Sequence, residues 1–427
     1  MGILTSMYTG ISGLQGIGEA LSIYGDNIAN ANTTGFKVSR PEFQDLVASS
    51  LKNPLGGNQV GRGTRLAAVN PVYAQGALVA TENATDLAIT GEGFFVLNGL
   101  EGQVYSRAGN FKFNRDGKLV NSDGYRLQGF ECDENGVATS KLKDISVDRT
   151  VIDARATKKA SLFANLDLRA DPRKKFDPAR PEQSAHFATG TTIYDSAGAA
   201  HTVTLFFNKT EEGKWEYRAM AKGEELVDGQ PGTLVEQARG KLEFTPEGKL
   251  KAHESVENSF NFNKGAKPDQ KVDFDFGSPM DEGGTGLQLT QYGTGSEAYK
   301  TLQDGFSAGT LSGMTFNDDG MLTGVFSNGQ TVNLAKVVLA KFEAAEGLFK
   351  MGQSLFRESR ASGQPTIGSP AQGGRGRISS KMLEQSTTDI ANEFINLMSA
   401  QHNFQANSRV IRVADDLMGE VLNLKRS

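Results

Sequence analysis

Four histidines, one cysteine and a small group of acids are the side chains here that could do chemistry. His186, His201, His253 and His402 are scattered, without His or carboxylate neighbours at the spacings that gather metal ligands, so surface or structural roles are expected for all four. Asp273, Asp275, Asp281 and Glu282 could surround a cation, but Asp273 and Asp275 alternate with Phe274 and Phe276. That alternation reads as a half-buried strand turning its acids to water. Gly57-Asn58-Gln59-Val60-Gly61-Arg62-Gly63 has the glycines of a phosphate cradle, yet it lacks the buried strand before and the helix after that would make one, and it reads as a loop. Trp215 and Tyr217 could stack a sugar; next to the apolar run Thr202 to Phe207 they are expected as a core or cross-strand aromatic pair. Cys132 can form no disulfide within the chain and is expected as a lone thiol, buried or half-buried. No Walker loop, nucleophile elbow, CxxC pair or zincin helix occurs. The residues therefore imply no catalytic site, no cofactor and no metal.

Composition narrows the classes further. Lysine plus arginine number 45 against 50 acids in 427 residues, a net charge of −5, so no global positive field exists to attract nucleic acid or an anionic membrane surface. No run approaches the roughly 20 apolar residues of a membrane span. No Lys or Arg precedes Lys37, and glycines interrupt the apolar runs, so a cleaved signal peptide is not expected. Met1 to Ser6 fits the short myristoylation pattern, which many sequences match by chance. Fifty glycines and 8% aromatics suit many turns and modest cores, and the length suits two to four modules.

What must be positioned is therefore surface rather than catalyst, and the chain ends carry the clearest pattern. Met7, Leu14, Leu21 and Ile28 recur every seven residues, flanked by Leu4, Ile11 and Ile17, which predicts an amphipathic helix from Ile3 to about Asn30. Gly10, Gly13, Gly16, Gly18 and Gly25 each weaken it by about 0.8–1 kcal/mol relative to Ala. Such a helix needs packing to form, and its glycines permit close backbone approach. Leu383, Ile390, Leu397, Phe404, Ile411 and Met418 repeat at the same interval, with Ala400, Asn407, Ala414 and Val421 three residues behind, the pattern of a coiled-coil seam. Asp389 is a candidate cap for this helix, and Lys425 and Arg426 suit the negative end of its dipole. Each helix has more apolar surface than one antiparallel partner covers. The ends are expected to pair with each other and then with further copies.

Between them the chain reads as β. Leu87 to Ile89, Phe94 to Leu97, Thr202 to Phe207 and Val337 to Leu339 are strand candidates. An acid followed by Gly sits between apolar strand ends three times, in Phe113 to Leu119, Phe244 to Leu250 and Phe316 to Leu322, and predicts tight hairpins. Pro and charge gather around 170–181, and glycines at 283–286. The expected architecture is mainly β with long terminal α-helices paired as a coiled coil. Residues 1–32 and 383–427 form the helical part, 33–72 and 362–382 the connecting segment, 73–150 and 288–361 an inner β domain, and 151–287 an inserted outer β-barrel or sandwich.

The run Asp26-Asn27-Ile28-Ala29-Asn30-Ala31-Asn32-Thr33-Thr34-Gly35-Phe36-Lys37 closely resembles the signature of the flagellar rod and hook family. Phe43-Gln44-Asp45-Leu46 and the stretch from Phe394 through Asn407 to Leu424 are similar to the same family. Asp26, where a second Asn is common, and His402, where a basic residue is usual, depart from it mildly. Thr192-Ile193-Tyr194-Asp195-Ser196-Ala197-Gly198 through His201 to Leu205, with Ser161 to Leu168, resembles the outer β domain of hook rather than rod members. The resemblance is weakest from 208 to 286. It implies a structural subunit of the hook, a helical homopolymer that is a flexible extracellular tube carrying torque from rod to filament. It also implies rod proteins, a hook cap, hook-filament junction proteins and the flagellar type III export apparatus as partners. A distal rod subunit is the alternative, since rod members share both ends.

Overall fold

The computed structural model describes residues 2–46, 49–50, 59–133, 136–147, 149–172 and 176–424. Lys425 and Arg426, the start of the glycine-rich loop at Gly57-Asn58, and the basic run 173–175 lie outside the described residues. The chain forms two compact units: Met1–Asp148 with Gly313–Gly324 and Thr331–Ser427, and Arg149–Ser312 with Val325–Gln330.

The first unit holds both long helices, Gly2–Ala29 and Ile390–Leu424, which pack on each other. Asp389 opens the second helix: its carboxylate accepts the backbone N–H groups of Ala391 at 3.0 Å and Asn392 at 3.2 Å, filling two of the donors that a helix start leaves unpaired. Within 33–72, Ser39–Asp45 pairs antiparallel with Thr64–Pro71 and lies along the first helix, with Phe43 beside Gly16, whereas 362–382 holds strands that join the β body, Thr366–Gly368 on Leu339–Lys341 and Arg377–Ser380 on Leu87–Thr90. The body is an antiparallel β structure in which Phe94–Gly99 pairs with Gly102–Ser106 on one side and Arg126–Cys132 on the other. Phe94, Val96, Tyr105, Val338, Ala340, Phe342, Leu348 and Phe356 form one of its cores, with edge-to-face ring contacts centred on Phe94. Cys132 is free and buried.

In the second unit five strands run in sequence order as one antiparallel sheet: Phe187–Tyr194, Ala200–Glu211, Lys214–Lys222, Leu234–Phe244 and Leu250–Asn258. A four-stranded sheet built around Lys159–Asp167 shares one apolar core with it. Trp215 and Tyr217 are both in that core. The acids of Asp273–Asp275 alternate with buried Phe274, and Asp275 pairs with Lys159 at 2.9 Å. All three predicted hairpins form, with Gly117, Gly248 and Gly320 at positive φ.

Two expectations need correction. Leu289–Tyr292 and Glu297–Gln303 pair with Lys159–Asp167, so residues 288–312 belong to the second unit and the glycine-rich stretch at 283–286 is a loop inside it. Leu383 is not helical. It lies on the strand Met382–Glu384, paired with Leu78–Ala80, and the heptad spacing through it is fortuitous because the helix starts only after Asp389.

Candidate assembly site

The line of closest approach between the terminal helices is made of small residues. A Cβ on Gly10 would stand 2.9 Å from Ile411, and one on Gly13 3.0 Å from the Asn407 amide, so both glycines let the second helix come near. Gly18 and Gly25 face nothing within 4 Å. Gly10, Gly13, Gly16, Ala20 and Asn27 are the buried line of the first helix. The predicted column Met7, Leu14, Leu21 and Ile28, with Ile11, flanks it half-buried, and Leu4 is exposed. On the second helix Ala400 and Ala414 are buried, and Leu397, Asn407, Ile411 and Met418 are half-buried, Asn407 and Ile411 beside Gly13 and Gly10 of the first. Ile390 and Phe404 stay exposed. So do Phe394, Ile395, Met398, Val410, Val413, Leu417 and Val421, at 44–58% of their full surface.

The motif that follows the first helix is a lock. Asn27, fully buried, exchanges two hydrogen bonds with the Ser39 backbone, its Nδ2 donating to the carbonyl at 2.8 Å and its Oδ1 accepting the N–H at 2.9 Å. Nδ2 also reaches Glu393 of the second helix at 3.3 Å. Asn30 bonds back to Asp26 and accepts from Thr33, closing the turn after the helix. Ile28 is half-buried and Ala29 exposed. Gly35 has φ +68°, and a side chain there would strike the backbone of Ala108. Phe36 and Thr387 bond through the backbone, which ties the motif to the segment entering the second helix.

Lys37 is the centre of this lock. Its ammonium, without exposed surface, donates to Glu384 Oε1 at 2.7 Å and to the Ala74 carbonyl at 2.6 Å. Arg107 reaches the other Glu384 oxygen at 3.2 Å and donates to the Gly91 carbonyl at 2.7 Å. Burial pushes both cations below their ordinary values, with Glu384 acting in the opposite sense. Two cations thus share one buried carboxylate, an arrangement that fixes geometry more than it adds stability. Arg107 and Glu384 were not legible as site residues. Lys37 and Glu384 are 347 positions apart, and no spacing connects them.

Elsewhere His201 takes a structural place in the second unit that its sequence spacing did not reveal. His201 does have carboxylate neighbours in space: Asp195 at 3.1 Å from Nε2 and Glu225 at 2.9 Å from Nδ1, with Phe262 stacked 3.9 Å from its ring. The turn after Asp195 folds its carboxylate back onto the next strand. Burial alone would raise Asp195, but bonds from His201 and from the Ala199 and Ala197 N–H groups outweigh it and hold the acid below its ordinary value. Among the described residues no group of three His, Cys, Asp or Glu side chains is placed to hold a metal ion. No described helix is long and apolar enough to cross a membrane.

Paired terminal helices with uncovered apolar faces, a motif that locks them to a β body, and a second, mainly β unit define a structural, self-associating class of protein. Family descriptions agree along the chain. "Flagella basal body rod protein" matches 7–37, "Flagellar hook protein FlgE/F/G D1 domain" 88–159, "Flagellar basal body protein FlaE D2 domain" 164–306 and "Flagellar basal body rod FlgEFG protein C-terminal" 379–424. The flagellar hook protein FlgE of Borreliella burgdorferi is 31% identical over 99% of this chain and 100% of its own length. That of Escherichia coli K12 is 30% identical over 97% and 98%. The Helicobacter pylori hook protein FlgE2 structure has a TM-score of 0.52 and 14% identity, covering 72% of this chain and all of that one, which supports the fold. The chain belongs to the flagellar hook protein family. It is a structural subunit of the bacterial flagellar hook, a polymeric axial component of the flagellum, and not an enzyme.

Proposed function

We propose that the two terminal helices act as a coiled-coil polymerisation element, drawing copies of this chain into a flexible extracellular tube that transmits torque from rod to filament as a universal joint. The observation that carries this reading is the exposed row Phe394, Ile395, Met398, Val410, Val413, Leu417 and Val421 on a helix whose other face is already occupied. Leu4, Ile390 and Phe404 add to the surface that neighbouring copies cover. Burying it on assembly offsets the ordering entropy of a glycine-weakened helix. The motif residues Asn27, Asn30, Thr33, Gly35 and Lys37 fix the angle at which the helices leave the β body, and the hairpin after them packs between copies and sets stiffness.

The second unit, whose two sheets share one core as a barrel or sandwich would, meets its neighbours through polar surfaces that slide as the tube bends. Rod proteins, the cap, the junction proteins and the type III export apparatus are the partners this role requires.

Val413→Lys tests the reading. Being exposed, it should change monomer stability by no more than about 0.5 kcal/mol, yet stop tube formation in negative-stain electron microscopy. Normal tubes from the variant would sink the proposal.

A further inference from the structure

His253 lies on Leu250–Asn258, the last strand of the five-stranded sheet in the second unit. Its ring is half-buried, with the Phe276 ring centred 5.2 Å away and the Tyr217 ring 5.8 Å away. The Tyr217 hydroxyl is 3.4 Å from Nε2. Both aromatic rings belong to the core. The cross-strand partner is Leu242, fully buried, which in turn pairs with Trp215.

The charged groups that face the ring are Asp273 and Asp275 from the neighbouring sheet and Glu282 from the turn Met280–Glu282. Among the described residues no hydrogen bond or ion pair joins any of them to the ring, whose one polar contact is Tyr217. Asp275 is engaged by Lys159, Ser161 and the Gly277 N–H, while Asp273 and Glu282 are exposed. An imidazolium in this place would have aromatic carbon on one side and, for compensation, only carboxylates that make no direct bond to it.

We propose that His253 is an acid-sensitive trip in the second unit: protonation drives the ring out of its aromatic niche and loosens the Leu250–Asn258 strand. Burial, the leading cause, holds His253 below its ordinary value of 6.5, against the opposing pull of Asp273, Asp275 and Glu282. The unfolded chain therefore takes up the proton first as pH falls. Stability is complete above about 6.5 and declines as pH drops toward the folded-state value. Asp195 and Asp275 act in a separate window. Their values lie below 3.8, so their contribution is lost only in stronger acid.

The single tryptophan, Trp215, sits in the core of this unit and reports its unfolding in the full chain. Because His186 packs against Trp215, denaturant midpoints rather than intensities are the quantity to compare. The wild-type midpoint should be lower at pH 5 than at pH 7.5. His253→Gln, which can still bond Tyr217, and His253→Phe, which keeps an aromatic ring, should each show little change over that interval. Retention of the full wild-type pH dependence in both variants would overturn the proposal. Should both fail to fold, amide hydrogen exchange on the wild-type chain decides. Corrected for the intrinsic rate, exchange across 250–258 should quicken at pH 5, and unchanged protection there would also overturn it.

Discussion

The terminal helices and the second unit treat large apolar side chains in opposite ways. In the second unit Trp215, Tyr217, Phe207, Phe260, Phe262 and Phe276 are all at most 1% exposed, and the apolar residues its strands do expose, among them Val256, Tyr292, Tyr299 and Leu302, lie outside a large continuous core. On the C-terminal helix Ile395 and Val413 are more than half exposed although they stand within two turns of the buried Ala400 and Ala414. One region closes its large core within a single copy. The other has a seam of small residues inside and its larger apolar residues outside, an order that a lone globule would reverse. A subunit organised this way can change partners at its ends without disturbing the fold of its β modules.

The contrast is broken most forcefully at the lock, which is buried yet holds charge. Glu384→Gln removes the carboxylate that Lys37 and Arg107 share in a place closed to solvent, and should destabilise the first unit by about 3–5 kcal/mol. Circular dichroism of the full chain should show an early loss of structure, while Trp215 continues to report a native second unit. If the two transitions stay together, the units are more strongly coupled than this separation allows.

The same lock shows where the sequence was readable and where it was not. Periodicity gave the helices, and acid-Gly pairs gave the hairpins at Gly117, Gly248 and Gly320, because both signals are local. The motif from Asn27 to Lys37 was visible as a resemblance, but its physics was not. Its partners Ser39, Arg107, Glu384 and Glu393 come together only through the tertiary fold. Leu383 misled for the complementary reason: an interval of seven continues by chance across Asp389, where the cap ends the pattern. The return of 288–312 to the second unit rests on parallel pairing of Leu289–Tyr292 with Ala164–Asp167, and strand partners of that kind leave no mark in linear order.

A smaller perturbation sharpens the comparison from the other side. Leu205 is 1% exposed in the core of the second unit, and Leu205→Ala should lower that unit's stability by about 2–5 kcal/mol through lost burial and the cavity left behind. Its Trp215 midpoint should fall accordingly. Tubes should still form under conditions in which the variant stays folded, since the exposed helix faces are untouched. Failure to assemble under those conditions would show that the second unit contributes more to the polymer than a sliding surface.

The smallest effects test the glycines, and they should differ in sign along one helix. Gly18 and Gly25 have open space where a Cβ would stand, so Gly18→Ala and Gly25→Ala should each stabilise the helix by about 0.8–1 kcal/mol, read as greater helicity of the monomer. Gly10→Ala puts a methyl 2.9 Å from Cγ1 of Ile411, closer than packed carbons allow, so the Ile411 side chain or the helix carrying it must give way and the same propensity gain is cancelled or reversed. The monomer measurement isolates the pair of helices in one copy. If Gly18→Ala raises helicity yet impairs tube formation, the space beside Gly18 is needed by a neighbouring copy, and the glycines divide into those that serve the pair and those that serve the polymer. If all three substitutions raise helicity equally, the close approach at Gly10 is not what holds the two helices together.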